Sequence, residues 1–169
     1  FKDSVTRHKV LAKKGIQYCD VGFSGGPGGA RHGACLMVGG TPKLFEYLYP
    51  LYQDLATVQG VRFFEGVGAG HFIKMIHNGI EYGMMQSLAE GFEVLKKSKY
   101  KLNLRHVAQI YNHGSVIESR LVDWLENAYR MYGDNLKSIS GAAGSGGGGA
   151  GKAPTKGEAE LMLEASTAL

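Results

Sequence analysis

The chain has 169 residues, 44% hydrophobic and 20% charged, with a formal net charge of +4. That composition is ordinary globular and sized for one compact domain or two small ones. No apolar run approaches the roughly 20 residues of a membrane-spanning helix, and 26 glycines with 4 prolines stay below the level of a disordered or collagen-like chain. The small positive excess suits an anionic ligand without choosing among phosphate, carboxylate and nucleic acid. The chain opens Phe1-Lys2-Asp3, with neither Met nor a charged-then-apolar leader, and reads as a fragment without a secretory signal. Cys19 and Cys35 form no framework and read as small buried thiols in a reducing, cytoplasmic setting.

Residues 3–14 predict a short helix, capped by Asp3 and stopped by Gly15. Residues 16–23 predict a strand ended by Ser24-Gly25-Gly26, followed by a glycine-rich loop to Gly33. Cys35–Val38 predict a second strand bounded by Gly39-Gly40. Thr41-Pro42 is a cap followed by proline at the first helical position, and the helix after it carries Leu44, Phe45, Leu48, Leu51 and Leu55. Pro50 should kink or split it. Val61–Phe64 predict a third strand. Strands alternating with helices predict an α/β layer with a largely parallel sheet.

From about Gly68 the pattern becomes helical. Phe72, Ile73, Met75, Ile76, Ile80, Met84, Leu88, Phe92 and Leu95 predict one long helix over 70–97, and residues 103–113 and 115–131 predict two more. The expected fold is therefore a Rossmann-like α/β end segment over 1–66, then the start of an all-α domain over 67–169. Residues 141–151 are expected as a glycine-rich loop, and 158–169 as a terminal helix.

Nucleotide signatures are weak. GVGAGH at 66–71 misses the G-x-G-x-x-G spacing, residues 144–149 fit it only as any glycine tract would, and 146–153 approach a P-loop but place Ala153 where the Mg²⁺-holding hydroxyl belongs. Lys96, Lys97, Lys99 and Lys101 read as a solvated turn rather than a nucleic-acid contact. His71 and His77 fall on different sides of a helix, so no metal site is expected.

Lys74 to Tyr82 is different. Lys74 and Asn78, Asn78 and Tyr82, and His77 and Glu81 are each i,i+4, so these polar groups share a stripe. A solvated face with an ion-pair ladder is one reading of that spacing. A site is the other, for three reasons. The glycine-rich turn 66–70 places backbone at a helix N-terminus, where anions sit well. The stripe mixes an amine, an imidazole, an amide and a carboxylate. Gly79 costs about 1 kcal/mol against alanine inside a helix, which suggests close packing there. Ser24-Gly25-Gly26, at a strand's carboxyl end, is where open α/β sheets bind ligands.

The blocks DVGFSGGPGGARHGACLMVGG (20–40) and GVGAGHFIKMIHNGIEYGMMQSLAEG (66–91) closely resemble the 6-phosphogluconate dehydrogenase family, decarboxylating members of the β-hydroxyacid dehydrogenases. GSVIES at 114–119 is similar too, with Glu118 where arginine is usual. The wider superfamily's S-G-G and G-x-G-x-x-x-K-x-x-x-N patterns are met by Ser24 to Gly26 and by Gly68, Gly70, Lys74 and Asn78. His77 and Glu81-Tyr82 narrow the match to the 6-phosphogluconate branch. The resemblance implies Lys74 as general base and Glu81 as later general acid, with Ser24, Gly25, Gly26, His77, Asn78 and Tyr82 binding substrate. It implies oxidation and decarboxylation of 6-phosphogluconate to ribulose 5-phosphate, with NAD or NADP as cofactor, in a homo-oligomer. The dinucleotide fingerprint is missing, so cofactor-binding residues are unassigned and the chain alone is expected to be inactive. The alternatives are a 3-hydroxyisobutyrate-type dehydrogenase and a non-catalytic, anion-binding remnant.

Overall fold

The first helix, α1 (Lys2–Ala12), has Phe1 as its N-cap, and no side chain closes that end; Asp3 lies in the first turn instead of capping it. Gly15 does stop the helix. It takes a left-handed φ of +71°, and the amides of Gly15 and Ile16 return to the carbonyls of Ala12 (3.0 Å) and Leu11 (3.1 Å). The computed structural model describes residues 1–133 and Leu136. The expected loop 141–151, its two nucleotide-like matches and the expected helix 158–169 lie outside the described residues.

Strands β1 (Asp20–Ser24), β2 (Ala34–Gly40) and β3 (Ala56–Glu65) form one sheet in that order. The first strand begins at Asp20, not residue 16, because only from there does the chain pair with β2. β2 and β3 are parallel, but β1 and β2 are antiparallel, so the sheet is mixed rather than largely parallel. The connections explain this. A parallel crossover needs about a dozen or more residues. Helix α3 (Pro42–Leu55) supplies one between β2 and β3, whereas residues 25–33 are too few to do so between β1 and β2.

That short connection is not a loop: it holds helix α2 (Gly26–His32), with Pro27 in its first turn and Arg31 and His32 in its last. Three of its seven residues are glycine, which hides the helix from propensity. Packing decides it. Gly29 is buried, and a Cβ there would stand at ordinary contact distance from the Ser24 carbonyl (3.4 Å) and Ala34 (3.6 Å).

In α3, Thr41 caps as expected, its Oγ1 accepting from the Leu44 amide at 3.4 Å. One helix runs through Pro50 without splitting. Pro50 and Glu46, whose carbonyl loses its partner there, are both exposed, so water can take up that carbonyl. Phe45, Leu48 and Tyr52 of α3 pack with Leu36, Val38 and Val61 of the sheet. Burial, helped by a hydrogen bond with Cys19 Sγ at 3.2 Å, pushes the Tyr52 phenol well above its ordinary range. Cys19 is half-buried, but Cys35 is exposed rather than buried, because it alternates with Leu36 and turns away from that core.

Helix α4 (Ala69–Lys97) is the expected long helix. By contacts the chain falls into two compact units, Phe1–Gly79 and Ile80–Leu169, that meet within this helix. In the second unit, Met85 and Phe92 share a core with Leu104 and Ala108 of α5 (Leu104–Tyr111) and Leu121, Leu125 and Tyr129 of α6 (Arg120–Tyr132). Asn103 caps α5 through the His106 amide at 3.0 Å. Ser119, not Ser115, caps α6. Residues before it turn instead, with the Glu118 carboxylate accepting the Gly114 amide at 2.7 Å. Lys96 and Lys97 belong to the last turn of α4, where cations suit the carbonyl end, and Lys97 pairs with Glu93 one turn back.

Gly79 does not mark a close approach in this chain: an added Cβ meets nothing within 4 Å. Gly79→Ala is therefore expected to stabilise the chain by about 0.5–1 kcal/mol, the helix-interior difference between the two residues. A higher urea midpoint is the expected reading; a lower one would reveal a neighbour.

Candidate active site

Side chains alternate along a strand, so Asp20, Gly22 and Ser24 share one face of β1. That face, with Gly39 of β2, receives the first turns of α4, and each of the three residues meets a successive part of the helix. Asp20 is buried, and its carboxylate accepts the amides of Gly68 (2.5 Å) and His71 (2.7 Å). The anion at the α4 N-terminus is thus the chain's own side chain, not a ligand. Of the turn 66–70, the Gly68 amide goes to Asp20, and the Gly66 and Ala69 amides go to the carbonyls of Gly40 and Gly66. Sequence reasoning missed Asp20. The available signal was the period-two Asp-x-Gly-x-Ser pattern facing residues 71, 74 and 77, which are spaced by three.

His71 is held on both sides. Its Nε2 lies 3.2 Å from the Val21 carbonyl, which can only accept, so Nε2 carries a proton. Its Nδ1 lies 2.7 Å from Ser4 Oγ, a buried residue of α1. His71 and Ser4 tie α1, β1 and α4 together and leave the chemistry to the next turn.

The close approach depends on glycine. A Cβ at Gly22 would stand 2.6 Å from Lys74 Cβ and 2.9 Å from the Gly70 carbonyl. A Cβ at Gly39 would stand 2.6 Å from the Gly70 amide nitrogen. With no side chain at Gly22, the stem of Lys74 lies directly across β1.

At the end of β1, Ser24 Oγ lies 3.0 Å from His77 Nε2. On the other side of the ring, His77 Nδ1 lies 3.0 Å from Lys74 Nζ and 3.2 Å from Asn78 Oδ1. The structure brings these four side chains together, all half-buried. Lys74 lies against a strand and on an imidazole. Gly25 and Gly26 follow Ser24 at φ +130° and +60° and open α2. Glu81 and Tyr82 come four residues after His77 and Asn78 on α4, one turn further along, and are half-buried. The cluster thus offers a hydroxyl, an imidazole, an amide and an amine at one strand end. That set can donate and accept hydrogen bonds to an oxygen-bearing ligand and can move a proton.

The family model described as the NAD binding domain of 6-phosphogluconate dehydrogenase matches residues 1–68, and that of the same enzyme's C-terminal domain matches residues 70–99, together more than half of the chain. The chain is 46% identical, over 86% of its length, to the Bacillus subtilis protein YqeC, provisionally named a 6-phosphogluconate dehydrogenase, and covers 50% of it. It is 41% identical, over 82% of its length, to the NAD(+)-dependent, decarboxylating 6-phosphogluconate dehydrogenase of Haloferax volcanii, covering 46% of it. The chain thus spans about half the length of these two relatives. Among solved structures it resembles Plasmodium falciparum 6-phosphogluconate dehydrogenase, studied with NADP+ and with 6-phosphogluconate. The TM-score is 0.73 at 30% identity, over 86% of this chain and 34% of that one.

Proposed function

The chain belongs to the 6-phosphogluconate dehydrogenase family, and from that premise we propose that it carries the proton-transfer site for oxidative decarboxylation of 6-phosphogluconate to ribulose 5-phosphate. The observation that supports this most is Lys74 Nζ, held 3.0 Å from His77 beside Ser24. Lys74 takes the proton of the substrate C3 hydroxyl as general base. Once protonated, it stabilises the oxyanion that develops. Glu81, one turn beyond His77, protonates the enediol left after CO₂ departs. Ser24, Gly25, Gly26, His77, Asn78 and Tyr82 bind the substrate through hydroxyls, amide, imidazole and unhindered backbone N–H groups.

NAD or NADP, when bound, supplies the hydride acceptor. Among the described residues no G-x-G-x-x-G turn stands between a strand and a helix. In this reading residues 1–66 complete a dinucleotide-binding domain and residues 67–169 begin the helical substrate domain of a cytoplasmic homo-oligomer. The exposed Phe72, Ile76, Ile80 and Met84 on α4 agree with a further partner for that helix.

The test is turnover by the full-length gene product, followed as NAD(P)H absorbance, with 6-phosphogluconate and 3-hydroxyisobutyrate supplied separately. Preference for 6-phosphogluconate is expected. Preference for the smaller acid would reassign the substrate, and binding of 6-phosphogluconate without turnover would mark a non-catalytic remnant.

A further inference from the structure

We propose that Asp20 is a positioning residue for Lys74, its carboxylate fixing the rotation and register of α4 against β1. The proposal rests on the functional reading above for the reaction served, whereas the setting of the helix is a property of this chain.

The glycine contacts and the Asp20 contacts do different things. Gly22, Gly39 and Gly70 let the helix and sheet backbones approach, and so set how far apart they stand. Glycine has no side chain to interlock, so that contact resists sliding or turning of the helix only weakly. Hydrogen bonds are directional. The two oxygens of Asp20 take two different amides, Oδ1 that of Gly68 at 2.5 Å and Oδ2 that of His71 at 2.7 Å. Both oxygens belong to one planar group, which is buried and whose residue pairs with Gly39 in the sheet. Gly39 leaves the carboxylate its place, since an added Cβ would stand 2.6 Å from Oδ1. Two bonds from one rigid group to two points of a helix end fix both how the helix is turned and how far along the strand it sits. The His71 ring adds a bond on the same strand, to the Val21 carbonyl at 3.2 Å.

The spacing carries that setting to the cluster. From Asp20 to Ser24 the strand covers about 13 Å, at about 3.3 Å per residue. From Gly68 to His77 the helix covers about 13 Å, at about 1.5 Å per residue. Helix and strand therefore run side by side, and the register set at Asp20 delivers His77 to Ser24, where Nε2 and Oγ lie 3.0 Å apart. Lys74 stands between these two points, its stem across Gly22. A helix with its side chains is about 10–12 Å across, so turning it by about 10° moves a side-chain tip by about 1 Å. A displacement of about 1 Å at a reacting group can cost about 10² in rate.

Asp20→Asn keeps the shape and one acceptor oxygen, and sets an NH₂ donor against the amide that the other oxygen held. In the full-length gene product at saturating 6-phosphogluconate, it should lower kcat by about 10–10²-fold when Lys74 is in place. Added to Lys74→Met, it should change the residual rate little, because the group that it positions is gone. A change that merely loosened the fold would cost the same factor in both backgrounds. Equal losses in the two, or no loss in either, would overturn the proposal. Two measurements on the same protein need no turnover. In wild type the Gly68 and His71 amides should be protected from hydrogen exchange, although the first amides of a helix have no partner within it. Free exchange at both would sink the proposal even if Asp20→Asn does not fold. In folded Asp20→Asn the ring signals of His77 should shift while those of His106 on α5 stay, and an unmoved His77 signal would count as decisively against it. If wild type turns over no 6-phosphogluconate, the functional reading fails, while amide exchange and the His77 signal still decide whether Asp20 sets the helix.

Discussion

Lys74→Met in the full-length gene product is expected to lower kcat with 6-phosphogluconate by about 10²–10⁴, the usual share of general acid–base catalysis. Methionine keeps the apolar stem that crosses β1 at Gly22 and removes the amine that meets His77. KM should change much less, because the remaining hydroxyl, amide and imidazole still bind the substrate. Neighbouring substitutions should separate the roles. Glu81→Gln keeps shape and hydrogen bonding but cannot deliver the same proton, so it should slow the late protonation and spare the oxidation. Asn78→Ala removes a donor and an acceptor together and should weaken both binding and rate. A lysine serving only in a surface ion pair would lose about 0.3–0.5 kcal/mol of stability with turnover unchanged. Steady-state kinetics decide between them, and near-normal kcat in Lys74→Met would remove the catalytic assignment.

The largest loss of stability is expected from Gly70→Ala. An added Cβ overlaps the Met37 carbonyl oxygen and stands 2.8 Å from the Asp20 carbonyl oxygen and the Gly39 amide nitrogen. All three are backbone atoms, so no side chain can rotate away. Relief requires α4 to lift from the sheet, which breaks the Asp20 bonds to Gly68 and His71. Overpacking of this kind costs about 3 kcal/mol, the upper part of its usual range, and should appear as a lower urea midpoint. The lift also carries Lys74 and His77 away from Ser24, so turnover should fall with stability. Gly79→Ala is the control on the same helix, since its Cβ enters open space. An unchanged midpoint in Gly70→Ala would show that the two backbones do not meet as described.

Much of this protein is readable in one dimension, for local reasons. Thr41-Pro42, Asn103 and Gly15 mark helix ends because caps act within a few residues. The long apolar period marks α4, and the i,i+3 and i,i+4 spacing already groups Lys74, His77 and Asn78. What the sequence alone misplaced depends on distant partners. The orientation of β1 follows from which strand it meets, and α2 exists because Gly29 is buried against Ser24 and Ala34 despite poor propensity. Gly79 stands out along the chain because a helical glycine is costly. Gly22, Gly39 and Gly70 are the ones that matter, because only the folded chain brings their backbones together. Asp20 is unremarkable in sequence until the fold sets it under the first amides of α4, where a buried carboxylate completes what the helix end lacks. The Ser24–His77 contact joins residues 53 positions apart, and no spacing rule reaches that far. Helical neighbours are set by the pitch of one element. Contacts between a strand and a helix are set by how closely two backbones can pack, and that is decided only in three dimensions.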